Sequence, residues 1–223
     1  MGGLIPLGDA SRRPRSFAGV TLLIILANAY VFLLELEGGN RFVRAWSAVP
    51  IRITRGHHAI TLLTSMFMHA SWMHIIGNMV FLWALGPAVE DAMGHFGYLF
   101  FYLAGGIVAM LAQVLGGPNS RIPCLGASGA IAAVMGAFIV TFPRDRIRTL
   151  LFFFIFIRIT FIPAVFLIGF WFLIQVLDYG VVAEARTGGV AYLAHIGGFL
   201  FGVVLSRIFV DERRVALLRG PTY

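Results

Sequence analysis

The 223-residue sequence contains no lysine: all 17 basic side chains are arginines, set against only 10 acidic ones. Charged residues make up 12% of the chain and hydrophobic residues 59%. A soluble domain of this length could not cover so much apolar surface, so the chain reads as a polytopic membrane protein with one membrane domain. Its formal net charge of +7 is then a topology signal. No arginine run interleaves with aromatics as a strand-binding surface would, so no nucleic-acid partner is expected. Cys124 is the only cysteine, which excludes an intramolecular disulfide. No histidine is followed by glutamate, and His69 and His74 have the wrong spacing to share a helix face. That excludes an H-E-x-x-H metal site, and neither metal nor cofactor is expected. Glu35, Glu90, Asp91 and Asp178 fall at the ends of apolar runs rather than mid-span, which argues against a transporter or channel.

What the sequence does have is long apolar runs. A bilayer crossing takes about 20 residues for roughly 30 Å of hydrocarbon. Six stretches qualify as spans: Phe17 to Leu36, His74 to Ala92, Tyr98 to Leu115, Ala127 to Phe142, Pro163 to Tyr179 and Val190 to Val210. The expected fold is all-α, a polytopic bundle of six transmembrane helices. Leu150 to Ile157, ending before Arg158, reads as an interfacial piece, because Pro163 suits the first turn of the next helix. A continuous fifth span from Thr149 to Leu177 is the alternative.

Arginines near the span ends set the orientation. With both termini on one side, that side carries ten: Arg12, Arg13, Arg15, Arg144, Arg146, Arg148, Arg207, Arg213, Arg214 and Arg219. The other side carries six: Arg41, Arg44, Arg52, Arg55, Arg121 and Arg186. The bias places residues 1–16 and 211–223 in the cytoplasm, as tails flanking a membrane domain over 17–210. Ser11-Arg12-Arg13-Pro14-Arg15 before an apolar run could pass for a twin-arginine signal, with Ala27-Asn28-Ala29 as its cleavage site. The apolar run continues through Val31-Phe32-Leu33-Leu34, and cleavage would spoil the even span count, so the first span is expected to stay. A bacterial inner membrane is the expected location.

In this topology the second, fourth and sixth spans all begin on the outer side. His74 and Asn78 then fall in the first turns of the second, Ser128 at the start of the fourth, and His195 early in the sixth. A serine hydroxyl is a poor nucleophile until a base takes its proton, and an ionisable residue in an apolar span invites a functional reading. The fourth span is short, so Ser128 is expected in a submerged, water-filled hollow. Gly129 and Gly136 in the fourth span, with Gly198 and Gly202 in the sixth, form small-residue faces that let two helices approach closely. Close helices would bring Ser128 within reach of His195. His74 and Asn78, four apart, share a face and could aim donors at a developing oxyanion. His69 is expected to fix a loop, His57 and His58 to lie on the surface, and His95 to sit on the cytoplasmic side. Asp178 is not expected to act as a third member with Ser128 and His195.

These residues carry a family resemblance. Met68-His69 with His74 and Asn78, then Gly126-Ala127-Ser128-Gly129-Ala130, then Ala194-His195-Ile196-Gly197-Gly198 with Gly202, resemble the rhomboid intramembrane serine proteases, in order from first span to sixth. The resemblance implies Ser128 as nucleophile, His195 as general base, and an oxyanion hole of His74, Asn78 and the Ser128 N–H. It implies a helical bundle with an outward-opening cavity, and membrane-spanning proteins as substrates reached from the surrounding lipid. Pro163-Ala164 to Trp171 and Gln175 looks like the family's fifth helix, often proposed as a lateral gate with the second. Two departures stand out. The first loop has Ala45-Trp46-Ser47 where some members carry a Trp-Arg pair. Ala132 stands where some members stack an aromatic on the histidine, which leaves open what orients His195. An inactive rhomboid-like binding protein is the alternative, but it would have lost Ser128 or His195.

Overall fold

The computed structural model describes residues 2–12, 15–153, 156–185 and 191–218. Arg13, Arg186 and Arg219 of the arginine count, and Val190 at the head of the sixth expected span, lie outside them. Strand β1 (Gly2–Asp9) leads into α1 (Gly19–Trp46), which breaks at Gly39 in a left-handed conformation with φ of 52°. Short helices α2 (Pro50–Thr54) and α3 (Thr61–Thr64), then a 3-10 turn (Ser65–Phe67), fill the first long loop. Helices α4 (Trp72–Met93), α5 (His95–Gly116) and α6 (Ser128–Thr141) follow, then strands β2 (Arg146–Phe153) and β3 (Phe156–Pro163). The chain continues through α7 (Ala164–Ala185), α8 (Tyr192–Phe209) and the short α9 (Glu212–Leu218).

Four helices, α1, α4, α5 and α8, are long and apolar enough to cross a bilayer; α6 and the Ala164–Tyr179 part of α7 are shorter apolar helices. The chain is thus a helical membrane bundle; each of the six expected spans overlaps one helix, but α1 runs on to Trp46 past the expected Leu36 and α7 to Ala185 past the expected Tyr179. The bundle carries a small antiparallel sheet, ordered β1-β2-β3, that the all-α expectation did not include. Residues 146–149 alternate rather than follow a helical period: Ile147 and Thr149 are fully buried between exposed Arg146 and Arg148. Of Leu150 to Ile157, Leu150–Phe153 is accordingly the end of β2 and Phe156–Ile157 the start of β3. The continuous helix from Thr149 to Leu177 does not form, because β3 runs to Pro163 and α7 begins only at Ala164. Residues 1–16, expected as a plain tail, contain β1.

That sheet fixes sidedness within the bundle. Pairing from Gly2↔Phe153 to Asp9↔Ile147 holds the stretch before α1 against the connection after α6. At the same end, the Asp211 N–H donates to the Ala92 carbonyl at 3.0 Å, docking α9 beside the α4–α5 turn. Four apolar helices separate β1 from β2 and two separate β3 from α9. Both even numbers agree with the ends of the chain lying together.

Carboxylates at this end replace missing caps. Ala18, at the N-cap of α1, offers no side-chain bond. Glu90 of α4 instead accepts from the Val20 and Thr21 N–H groups at 2.9 and 2.8 Å, and from Thr21 Oγ1 at 2.6 Å. Asp91 accepts from the Arg15 and Ser16 N–H groups at 2.7 and 3.1 Å, and from the Ser16 hydroxyl. Helix-start N–H groups have no partner within their own helix, and apolar surroundings make an unmet one costly. Glu90 satisfies two of them across helices, Asp91 holds the segment just before α1, and together they join that segment and α1 to α4.

The centre of the bundle is the contact of α6 with α8. A methyl group placed on Gly198 would collide with the Gly129 carbonyl, one on Gly202 with the Ala133 carbonyl, and one on Gly136 with the Phe199 carbonyl. The helices meet backbone to backbone at three successive levels, as small residues permit in lipid. We expect Gly202→Val to lower the midpoint of thermal unfolding in detergent, with a cost at or above the usual 1–3 kcal/mol (roughly) of overpacking. Gly169→Ala is the control: its added methyl meets nothing within 4 Å, and it should be neutral or stabilising by up to about 1 kcal/mol. Equal losses in both would refute the close approach.

Burial at the sheet pushes the Asp9 carboxyl up to about 7, with Asp145 nearby reinforcing the shift and the Ser11 N–H opposing it. A carboxyl raised above its unfolded value favours the fold most below about pH 4, and that contribution is lost as pH rises to about 7. Unfolding midpoints measured from pH 4 to pH 8 should therefore decline more in the native sequence than in Asp9→Asn. Parallel profiles would count against a protonated Asp9.

Candidate active site

Ser128 is the first residue of α6, which spans only 14 residues. At 1.5 Å per residue it covers about 21 Å, well short of the roughly 30 Å of hydrocarbon. The turn before it is pinned by the Gly126 N–H donating to the Ser65 carbonyl at 2.9 Å. Gly126 has φ of 132°, and a Cβ there would lie 2.8 Å from His74 Cε1 and 3.0 Å from its Nε2. Only glycine serves at this position, both for its backbone angle and for the imidazole packed against it.

His195 lies in the first turn of α8, with its N–H bonded to the Ala191 carbonyl at 3.2 Å. The glycine seam deeper in the bundle sets the distance between the two helix heads. His195 Nε2 lies 2.7 Å from Ser128 Oγ. On its other side, His195 Nδ1 lies 2.6 Å from Gln175 Oε1 of α7. The Trp171 ring, one turn earlier on α7, sits 5.6 Å from the imidazole centroid, and Tyr192 approaches edge-on at 6.5 Å. Asp178 makes no hydrogen bond to His195; the amide of Gln175 occupies the acceptor position. Ala132 is buried in the core, and the ring facing His195 comes instead from α7.

The first turn of α4 faces the pair across a cavity of about 650 Å³, lined by His74, Asn78, Ser128, Met135, Trp171 and His195. Ser71 caps this helix, accepting from the His74 N–H at 3.2 Å. His74 Nδ1 accepts from the Ala70 N–H at 3.4 Å, leaving its Nε2 edge toward Gly126 and Ser128. Asn78 is buried, and its Nδ2 donor has no protein partner. Unspent donors beside a helix N-terminus suit a developing negative charge. Cys124 also lines the cavity, but burial pushes its thiol up to about 11, so it is not a thiolate at neutral pH.

The other histidines lie away from this pair. His69 is buried with neither ring nitrogen hydrogen-bonded. Its loop is fixed by its backbone, which donates to Glu35 Oε2 at 2.7 Å, and its ring meets His74 edge-on at 5.1 Å. His57 and His58 are exposed. His95 is at the opposite end of the bundle, bonded to Glu90 at 2.6 Å. Of the packing glycines, Gly129 directly follows Ser128 and Gly198 lies one turn after His195, while Gly136 and Gly202 hold the helices further in.

Trp171 and Gln175 were quoted in sequence as part of a helix and not as site residues. The available signal was their spacing of one helical turn, with the amide the only polar side chain between Ala164 and Leu177.

A family model described as the Rhomboid domain matches residues 56–212. The chain is 31% identical over 151 residues to Rhomboid protein 1, mitochondrial, of Saccharomyces cerevisiae, covering 65% of this chain and 40% of that protein. It is 33% identical over 128 residues to Rhomboid protease GluP of Bacillus subtilis, covering 56% and 25%. Rhomboid-like protein 11, chloroplastic, of Arabidopsis thaliana is 26% identical over 205 residues, covering 87% and 67%. The chain thus matches well under half the length of the first two. These relatives come from mitochondrion, bacterium and chloroplast, so they support a membrane protein without supporting a bacterial inner membrane over another.

Covalent capture of Ser128 by a serine-directed phosphonate would probe the donors directly. Loss of one oxyanion donor among several typically costs about 10²–10³ in rate. Asn78→Ala and His74→Ala should each slow capture by that order without preventing it. Unchanged capture in both would reduce the pair to helix-to-helix hydrogen bonding.

Proposed function

The chain belongs to the rhomboid family, and on that footing we propose that it is an intramembrane serine endopeptidase acting on membrane-spanning proteins. The observation that carries the proposal is the 2.7 Å approach of His195 Nε2 to Ser128 Oγ at the head of the short α6. Ser128 Oγ attacks the scissile carbonyl carbon while its proton passes to His195 Nε2. The carbonyl oxygen becomes an oxyanion facing the Ser128 N–H, His74 and Asn78. Collapse expels the amine, which takes the proton back from His195, and leaves an acyl ester on Ser128. Water attacks that ester, gives its proton to His195 Nε2, and restores the serine as the carboxylic product leaves.

The setting supports both water and a lipid-derived substrate. The cavity gives access to water, and α7 exposes Phe166, Phe170 and Leu177 outward, as a lipid-facing helix does. A substrate helix has to open locally to present its carbonyl, which favours small or helix-breaking residues near the cleaved bond. Arginine placement supports a cytoplasmic sheet end: Arg12, Arg144, Arg146, Arg148 and Arg158 lie around the sheet, with Arg213 and Arg214 on α9. The site then opens to the opposite side.

Ser128→Ala and His195→Ala should each abolish cleavage of a transmembrane substrate in liposomes while the protein still folds. The double variant should be no worse than either single one, because residues acting as a unit lose activity together. Full cleavage by either single variant would overturn the dyad.

A further inference from the structure

His195 is held from α7 through one directed bond. Gln175 is buried, its Nε2 donates to the Trp171 carbonyl at 3.3 Å, and its Oε1 lies 2.6 Å from His195 Nδ1. The amide nitrogen, as donor, is already committed to a carbonyl, so the oxygen is what faces the imidazole. An oxygen can only accept there, so Nδ1 carries the proton and Nε2 presents its lone pair to the Ser128 hydroxyl. That is the tautomer a general base needs. A carboxylate would produce the same tautomer, but in an apolar setting it would bring a buried charge. The neutral amide avoids that charge.

We infer that Gln175 is the positioning residue for His195, and that α7 thereby ties the readiness of the base to its own seating against α8. The inference rests on the proposed Ser128–His195 chemistry. Seating depends on few contacts: Phe172 stacks on Phe199 of α8 at 4.2 Å, and Ile168 is buried in the core. Trp171 and Gln175 follow from the same helix face. When α7 moves outward, the Nδ1 acceptor and the Trp171 ring leave together, and the imidazole is free to turn or to exchange tautomers. Among the described residues no carboxylate bonds to His195. The described titratable groups that share the cavity with His195 are His74 from α4, Cys124 of the loop before α6, Tyr179 from α7 and Tyr192 on α8 itself; α5 and α6 present neutral Gln113 and Ser128. A substrate helix entering beside α7 would therefore reach an active base only once α7 is seated again.

The test uses the full chain in detergent or liposomes. Gln175→Met keeps the side-chain length and removes the acceptor; Gln175→Glu restores one. Gln175→Met should lower kcat by about 10- to 100-fold with KM little changed, as for loss of a tautomer-fixing partner. Gln175→Glu should recover part of that loss. Phe172→Ala, which removes the stack that seats α7 while keeping Gln175 itself unchanged in the sequence, should also lower kcat. Combined with Gln175→Met, it should add little, since both act through one contact. The nitrogen resonances of histidine-labelled protein, with His195 assigned by its absence in His195→Ala, give a readout free of catalysis. Wild-type His195 should show the Nδ1-protonated form, and Gln175→Met a tautomer mixture. Wild-type kcat in Gln175→Met, equal loss in Gln175→Met and Gln175→Glu, or an Nε2-protonated His195 in the wild type would each overturn the inference. A wild-type protein that neither cleaves substrate nor captures phosphonate would instead overturn the protease reading, with the resonances still deciding the role of Gln175.

Discussion

Everything at the site depends on two backbones touching. Carbonyls of Gly129 and Ala133 on α6 lie where Gly198 and Gly202 on α8 have no side chain, and Gly136 answers the Phe199 carbonyl. Lipid supplies little hydrophobic force between helices, so the association relies on close packing of this kind. The seam is also a ruler. It begins at Gly129, next to Ser128, and at Gly198, one turn after His195, so a shift of either helix by a methyl thickness is passed to a hydrogen bond of 2.7 Å. The Ser128–His195 geometry is therefore an extension of the packing, with no separate device needed to set the distance.

The charged groups follow a different logic at the two ends. At the sheet end, Glu90 and Asp91 are consumed by N–H groups of the segment leading into α1, and Arg12 pairs with Asp145. These acids hold the bundle closed. At the other end Glu35 likewise accepts from the His69 N–H, but among the described residues no acid or arginine lines the cavity, and the Asn78 amide nitrogen there has no protein partner. A protein with so few charges keeps them where they satisfy backbone, and leaves hydrogen-bond capacity where chemistry needs it.

Much of the helical plan and the Ser128–His195 approach was legible in the sequence, for identifiable reasons. Apolar run length marks spans directly, and Gly198 and Gly202 at a spacing of four mark a seam. The hairpin was harder: Leu150-Leu151-Phe152-Phe153 is continuous apolar sequence, and such a run does not distinguish strand from buried helix. The alternation that decides the question lies at its edges, in Arg146-Ile147-Arg148-Thr149 and Ile157-Arg158-Ile159-Thr160. β1 was hidden for another reason, since its partner is distant and Gly2-Gly3 and Pro6 weaken any local strand signal. Gln175 was legible as a polar exception in an apolar helix, but its partner could be named only once α7 and α8 were placed side by side.

The pairing of β1 with β2 has a consequence for biosynthesis. Residues 2–9 leave the ribosome well before the strand they join, over 146–153, which emerges after α1, α4, α5 and α6 have been made. At roughly 5–20 residues per second, β1 waits on the order of ten seconds for its partner. Throughout that interval it is an unpaired, β-competent edge, of the kind that invites pairing with the wrong chain. It must also stay on its own side of the membrane while four helices insert. Completion of the sheet is thus a late event that can occur only if every preceding insertion has taken the correct direction.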